Sequence, residues 1–289
     1  SVFLIISDLF SRMLASKNIL SDIGNINLEK PTKKLLDYYS NAENLIQHTK
    51  DGKFEIVQPI DPIRKKYADH LALLAMDFIF EHELSHIVFG HVDYLNEKYG
   101  INVYSEMNSN ERQIKNNLDF QTLEMDADST ALARCCTFVH FEILNNNFLK
   151  VDSDIKFIYS DYYSAFATIN FAITTVFLIF GDGNYQDIQP GKTIHPPPRM
   201  RQLMVASTFY TINEKWNLDL DLDILTKKIG SKTIEANEAY MEITGKKINK
   251  EVFEDKYYKN NKTPQILVAN WSDNLRKELI KHSYKPLAE

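Results

Sequence analysis

Apolar and polar positions divide the chain into long helical stretches separated by polar breaks marked with glycine or proline. From Pro62 the pattern is helical through about His91, and its segment LALLAMDFIF is apolar on nearly every face, which predicts a buried helix. Residues 96–116 are polar and carry Gly100, so they predict an excursion. A second helix then runs from about Leu118 to Leu144 and a third from about Tyr159 to Phe180. The run GDGNYQDIQPGKTIHPPPRMRQLM, with three glycines and four prolines, predicts an ordered loop feeding a helix that starts near the prolines. Residues 1–50 read as amphipathic helical pieces, with Pro31 opening one of them, and beyond Trp216 several helices flank the charged segment GKKINKEVFEDKYYKNNKTP. The best strand candidate is KFEIVQ, Lys53 to Gln58, which is short, includes Ile56 and Val57 and is closed by Pro59. The expectation is a mainly α fold with a small β element (α+β), divided into an N-terminal helical region 1–52, a central domain 53–212 and a C-terminal helical region 213–289.

Composition narrows the class. At 289 residues, 44% hydrophobic and 25% charged, the chain can bury a core and is neither a disordered nor a disulfide-dense scaffold. A net charge of −6 argues against nucleic acid as a partner, because such affinity comes largely from Lys and Arg displacing counterions. The two cysteines, Cys135 and Cys136, are adjacent in an apolar stretch and read as small buried hydrophobes in a reducing, cytoplasmic setting. The apolar run Val2–Ile6 has no basic region ahead of it and is not a good signal peptide. Ala165 to Phe180 is uncharged but only sixteen residues long and carries Thr168, Asn170, Thr174 and Thr175, which predicts a core helix rather than a membrane span.

The chemistry concentrates in FIFEHELSHIVFGHVDYL, Phe78 to Leu95. His82 and His86 are four apart, and four helical steps turn through about 400°, so both imidazoles emerge from one face. That arrangement can supply two ligands to a tetrahedral Zn²⁺, with Glu83 beside the metal and suited to take a proton from metal-bound water. The competing reading is two surface histidines on an amphipathic helix. On a continued helix His91 would point about 140° away from His86 and about 180° away from His82, so it cannot reach unless Gly90 breaks the helix. It is therefore expected to cap or pack. The metzincin spacing would need Gly at 89 and His at 92, where this chain has Phe89 and Val92.

A third ligand has to come from elsewhere, and the second helix offers LEMDADSTALA. Glu124 and Asp128 share a face with Leu123, Ala127, Ala131 and Leu132, and two carboxylates on a packed helix need partners. A metal on Glu124 and a histidine N–H on Asp128 would provide them, as would a salt bridge to Arg or Lys. Asp126 lies about 160–200° off that face and is expected to face solvent. In HPPPRMR, His195 and Arg201 stand across a proline-fixed helix start, a rigid way to present an imidazole and a guanidinium.

His-Glu-x-x-His, then Glu-x-x-Ala-Asp, then His-Pro-x-x-x-x-Arg in that order resembles the gluzincin metallopeptidases of the CAAX prenyl protease and HtpX type. It also resembles the soluble Lit phage-exclusion peptidase family, with Ile194 inserted in TIHPPPRMR where Thr would directly precede the histidine. The resemblance covers Phe78 to Arg201. It implies a zincin-like fold with an active-site helix carrying His-Glu-x-x-His, so that 53–212 would be a zinc metallopeptidase catalytic domain. It further implies one Zn²⁺ held by His82, His86 and Glu124, with Glu83 as general base and then acid and Asp128 supporting a ligand histidine. His195 would stabilise the oxyanion, and Arg201 would orient His195 or the adjacent loop. The transmembrane pairs of the prenyl-protease and HtpX branches are missing, so the soluble branch fits better.

The expected function is a soluble zinc endopeptidase that hydrolyses an intracellular protein or peptide substrate by Glu83-assisted attack of zinc-bound water, in phage defence or regulation. The alternative is a non-catalytic or latent module in which zinc serves structure. A site closed by four protein ligands, His195 included, would favour that alternative, and an open water position would favour catalysis.

Overall fold

The computed structural model describes residues 2–31, 57–100, 117–145, 151–180, 195–245 and 262–287. These residues are mostly helical. Among them no strand occurs, and one isolated parallel bridge joins Ser16 and Lys30. Residues 53–56 of the strand candidate lie outside the described residues, and Val57 and Gln58 are in neither helix nor strand. By contact, the chain divides into two compact units.

The first unit comprises Ser1–Asp77, Cys135–Gly183 and Phe209–Ile248. Its helix α1 (Val2–Leu14) buries Ile6, Leu9, Phe10, Met13 and Leu14. Helix α2 (Pro62–Val88) begins here and continues into the second unit. Asp61 caps its start by accepting the Arg64 N–H at 2.9 Å, and Pro62, with no N–H to satisfy, follows it. Arg64 is fully buried. Its guanidinium donates five hydrogen bonds to backbone carbonyls: Nε to Leu14 at 2.7 Å, Nη1 to Leu20 and Ile23 at 2.7 Å each, and Nη2 to Ser16 at 2.9 Å and Ile19 at 2.7 Å. The turns after α1 are thereby wound around one side chain.

A 3₁₀ segment, Ser153–Tyr159, precedes the apolar helix spanning Tyr162–Phe180, so that helix starts later than its periodicity suggests. Tyr162–Phe180 is long and apolar enough to cross a membrane by length and composition, yet Ala165–Leu178 is buried within the protein. It packs along Leu222–Thr244, where Asn170 Nδ2 donates to the Ile229 carbonyl at 3.1 Å and to Thr233 Oγ1 at 2.8 Å. Thr175 returns its hydroxyl to the Phe171 carbonyl at 2.9 Å. The polar residues of this apolar stretch therefore serve core packing. Cys135 and Cys136 are buried and form no disulfide.

The second unit comprises Phe78–Arg134, Asn184–Thr208 and Asn249–Glu289. It holds the last turns of α2, helix α3 (His91–Tyr99) and the first part of helix α4 (Asn117–Asn145). To these it adds the first turns of a helix over Pro198–Lys215 and short helices over Thr263–Asn270 and Arg276–Leu279. Tyr94, Leu95, Phe120, Leu123, Leu275 and Leu279 form one core cluster, and Met125, Met200, Met204 and Leu267 another. Leu123 and Met125 belong to these clusters on either side of Glu124. Asp119 ties α3 to α4 by accepting from the Tyr94 hydroxyl at 2.8 Å, the Tyr99 hydroxyl at 2.7 Å and Lys98 Nζ at 2.8 Å.

The helix that the periodicity carries to His91 ends at Val88. Gly90 takes φ 74° and ψ 17°, and His91 opens α3. A Cβ at Gly90 would meet the His282 backbone and Cβ at 2.5 Å, so both the left-handed conformation and the close approach require glycine. Nearby, the Tyr284 N–H donates to the Val88 carbonyl at 2.9 Å, satisfying one of the helix-terminal acceptors.

Candidate metal centre

The end of α2 and the first part of α4 bring three buried groups together: His82, His86 and Glu124, each offering a ligand atom within 4.8 Å of the others. His82 Nε2 and His86 Nε2 are 3.1 Å apart. Glu124 Oε2 lies 3.6 Å from the first and Glu124 Oε1 lies 3.4 Å from the second. Metal–ligand bonds of about 2.1 Å at tetrahedral angles separate neighbouring ligand atoms by about 3.4 Å. The three observed separations bracket that value, so the donor set fits a small divalent ion. It is also the right chemistry, with two imidazole nitrogens and a carboxylate in a buried site.

The outer edge of each histidine is held. His82 Nδ1 sits 2.9 Å from Asp128 Oδ1. Arg201 grips the same carboxylate in a fork, Nε to Oδ2 at 2.8 Å and Nη2 to Oδ1 at 2.8 Å. Burial opposes ionisation of Asp128, but the Arg201 charge and hydrogen bonds, joined by His82, outweigh it and keep the carboxyl below the usual carboxylate range. An ionised Asp128 faces His82 Nδ1 as an acceptor, which favours the hydrogen on Nδ1 and a lone pair on Nε2 directed inward. The salt-bridge reading and the histidine-holding reading of Asp128 are thus met by one carboxylate. Arg201 also lies 3.9 Å from Glu124 Oε2.

His86 is held differently. Its Nδ1 is 3.0 Å from His91 Nδ1, and His91 Nε2 is 3.1 Å from Asp126 Oδ2. His91 reaches His86 by the exception named for it, because Gly90 breaks the helix between them. The expectation for Asp126 needs correction, since it is buried against His91 rather than facing solvent. The one usable signal was Gly90 itself, a residue that tolerates the positive φ a continued helix forbids.

His195 precedes the helix starting at Pro198, and its Nδ1 lies 3.6 Å from Glu124 Oε2 with the ring partly exposed. Glu83 is solvent-exposed on α2. The structure therefore brings His82, His86, Glu124, Asp128, His195 and Arg201 into one neighbourhood, with Glu83 directly following His82 in the chain.

No curated protein and no solved structure matches the chain. A family model described as Peptidase U49 matches residues 2–210, a span that covers most of the chain and every residue of the neighbourhood above. The chain accordingly belongs to the peptidase U49 family.

Proposed function

We propose that this peptidase is a zinc-dependent endopeptidase of intracellular proteins, built on a zincin-like centre. The observation that carries the reading is the near-tetrahedral spacing of His82, His86 and Glu124, with the outer nitrogens of both rings already engaged. Zn²⁺ held by these three residues would supply Lewis-acid activation of a water and of the scissile carbonyl. Glu83 accepts the proton of the attacking water and passes it to the leaving amine. His195 donates a hydrogen bond to the carbonyl oxygen as negative charge develops there. Arg201 acts on Asp128, fixing the acceptor that orients His82. The buried thiols Cys135 and Cys136, joined in no disulfide, fit a reducing compartment, and the Lit-like order of motifs supports a host-defence or regulatory setting.

The test is direct. The wild-type chain binds one zinc per molecule, and expressing it in cells generates new protein termini that the Glu83→Gln form, with zinc still bound, does not. A Glu83→Gln chain that cleaves like wild type, or a wild-type chain that binds no zinc, removes this reading.

The position of His195 near Glu124 keeps a second reading in play, a latent or structural site closed by His195 as fourth protein ligand. His195→Ala separates the two. Unchanged zinc affinity with a lower turnover belongs to catalysis, and weakened zinc binding belongs to a closed site.

A further inference from the structure

We propose that His91 and Asp126 form a relay that fixes the tautomer of His86, making both of them positioning residues for the metal centre; the inference rests on the zinc reading above. The atoms determine a direction for each proton. Asp126 Oδ2 is an acceptor, so the His91 nitrogen facing it, Nε2 at 3.1 Å, is the N–H. A neutral His91 then offers a lone pair at Nδ1. The atom facing that lone pair is His86 Nδ1 at 3.0 Å, which must be the donor. His86 Nε2 is left without a proton, and it is the nitrogen that lies 3.1 Å from His82 Nε2 and 3.4 Å from Glu124 Oε1. Reversing any one link would put a hydrogen on His86 Nε2, where a metal needs a lone pair.

The relay is built into the backbone. His91 is completely buried, and it reaches His86 because Gly90 adopts φ 74° between the two helices. The closest approach to Gly90 is made by His282, which leaves no space for a side chain at the bend. The centre therefore has two unlike supports. His82 leans on a carboxylate clamped by Arg201, and His86 leans on a carboxylate through an intervening imidazole.

The experiment uses the full chain and zinc alone. Long-range ¹H–¹⁵N spectra of ring-labelled protein, assigned with single histidine variants, read the tautomers before and after zinc is added. We expect His91 with its proton on Nε2 and His86 with its proton on Nδ1. Finding His91 protonated on Nδ1 instead overturns the proposal, and this measurement needs no variant of His91 to fold. Chelator competition then compares variants. His91→Phe, which keeps the bulk and removes the nitrogens, weakens zinc binding about 10–100-fold, as does Asp126→Ala. His91→Gln, whose amide oxygen can accept from His86 Nδ1, restores most of that loss, which a role in packing alone would not produce. Wild-type affinity in His91→Phe overturns the relay. A wild-type chain that shows both expected tautomers yet binds no zinc would sink the metal reading while leaving the relay in place, so the two failures are distinguishable.

Discussion

Each unit buries a group that ought to be costly, and the two solve the problem in opposite ways. In the first unit the Arg64 guanidinium has five N–H donors and five backbone carbonyls to receive them. Nothing is left over, and the arrangement is closed. In the second unit His82, His86 and Glu124 bring two ring nitrogens and a carboxylate together across 3.1–3.6 Å, while the outer ring nitrogens face Asp128 and His91. Inward lone pairs on both rings would repel one another and the carboxylate unless a cation lay between them. The difference teaches how to read burial. A saturated polar group marks architecture, and a convergent set of ligand-type atoms marks a candidate site for an ion.

The comparison can be broken most forcefully at Arg64. Arg64→Met leaves five buried carbonyls without their donors, and we expect a loss of about 3–5 kcal/mol in unfolding free energy, measured by urea titration with zinc present and absent. The loss should be the same in both conditions; a zinc-dependent loss would blur the distinction drawn here. The centre should behave in the reverse manner. At zinc concentrations about 1,000 times the dissociation constant, the wild-type chain gains about 4 kcal/mol, and His86→Ala gains almost none. Differential scanning calorimetry with and without chelator checks both, and equal zinc stabilisation of the two chains would contradict the ligand assignment. Asp128→Ala is expected to cost less, about 10–100-fold in zinc affinity or about 1.4–2.7 kcal/mol, read by chelator competition. Unchanged affinity there would mean that Arg201 and Asp128 only brace the fold.

The smallest effect concerns a third kind of buried group. His70, in the first unit, is pushed down to about 4 by burial, with its Nε2 2.6 Å from the Tyr159 hydroxyl. A ring that must stay neutral when folded contributes stability above its ordinary value of about 6.5 and loses it as pH falls toward about 4. Between about pH 7 and about pH 5.5 this amounts to about 1 kcal/mol, and His70→Gln should flatten that part of the stability profile. An identical slope in the two chains would count against it.

What the sequence discloses follows helical geometry. His82 and His86, like Glu124 and Asp128, are paired by a four-residue spacing that any helix converts into one face, so their meeting was legible before any coordinates. Asp126 was misread because the far face of the unbroken α4 is covered too, with Asp126 buried against His91. His91 is a different case. The angular rule assumes an unbroken helix, and Gly90 suspends it for a single residue. Arg64 left no trace at all, because its partners are carbonyl oxygens that every residue carries. Arg201 was picked out by its place after the prolines, but its engagement with Asp128 depended on how separate stretches of the second unit meet.

The bend at Gly90 has a consequence for the order in which the chain is made. The segment that covers it reaches back from far downstream: Tyr284 donates its hydroxyl to Asp93 Oδ2 at 3.3 Å across 191 positions, and its N–H meets Val88. During translation His82 and His86 leave the ribosome long before that covering segment exists. A nascent chain therefore carries the turn with His82 and His86 while the bend beside it stays uncovered until residues as far as 191 positions downstream of Asp93 have been made.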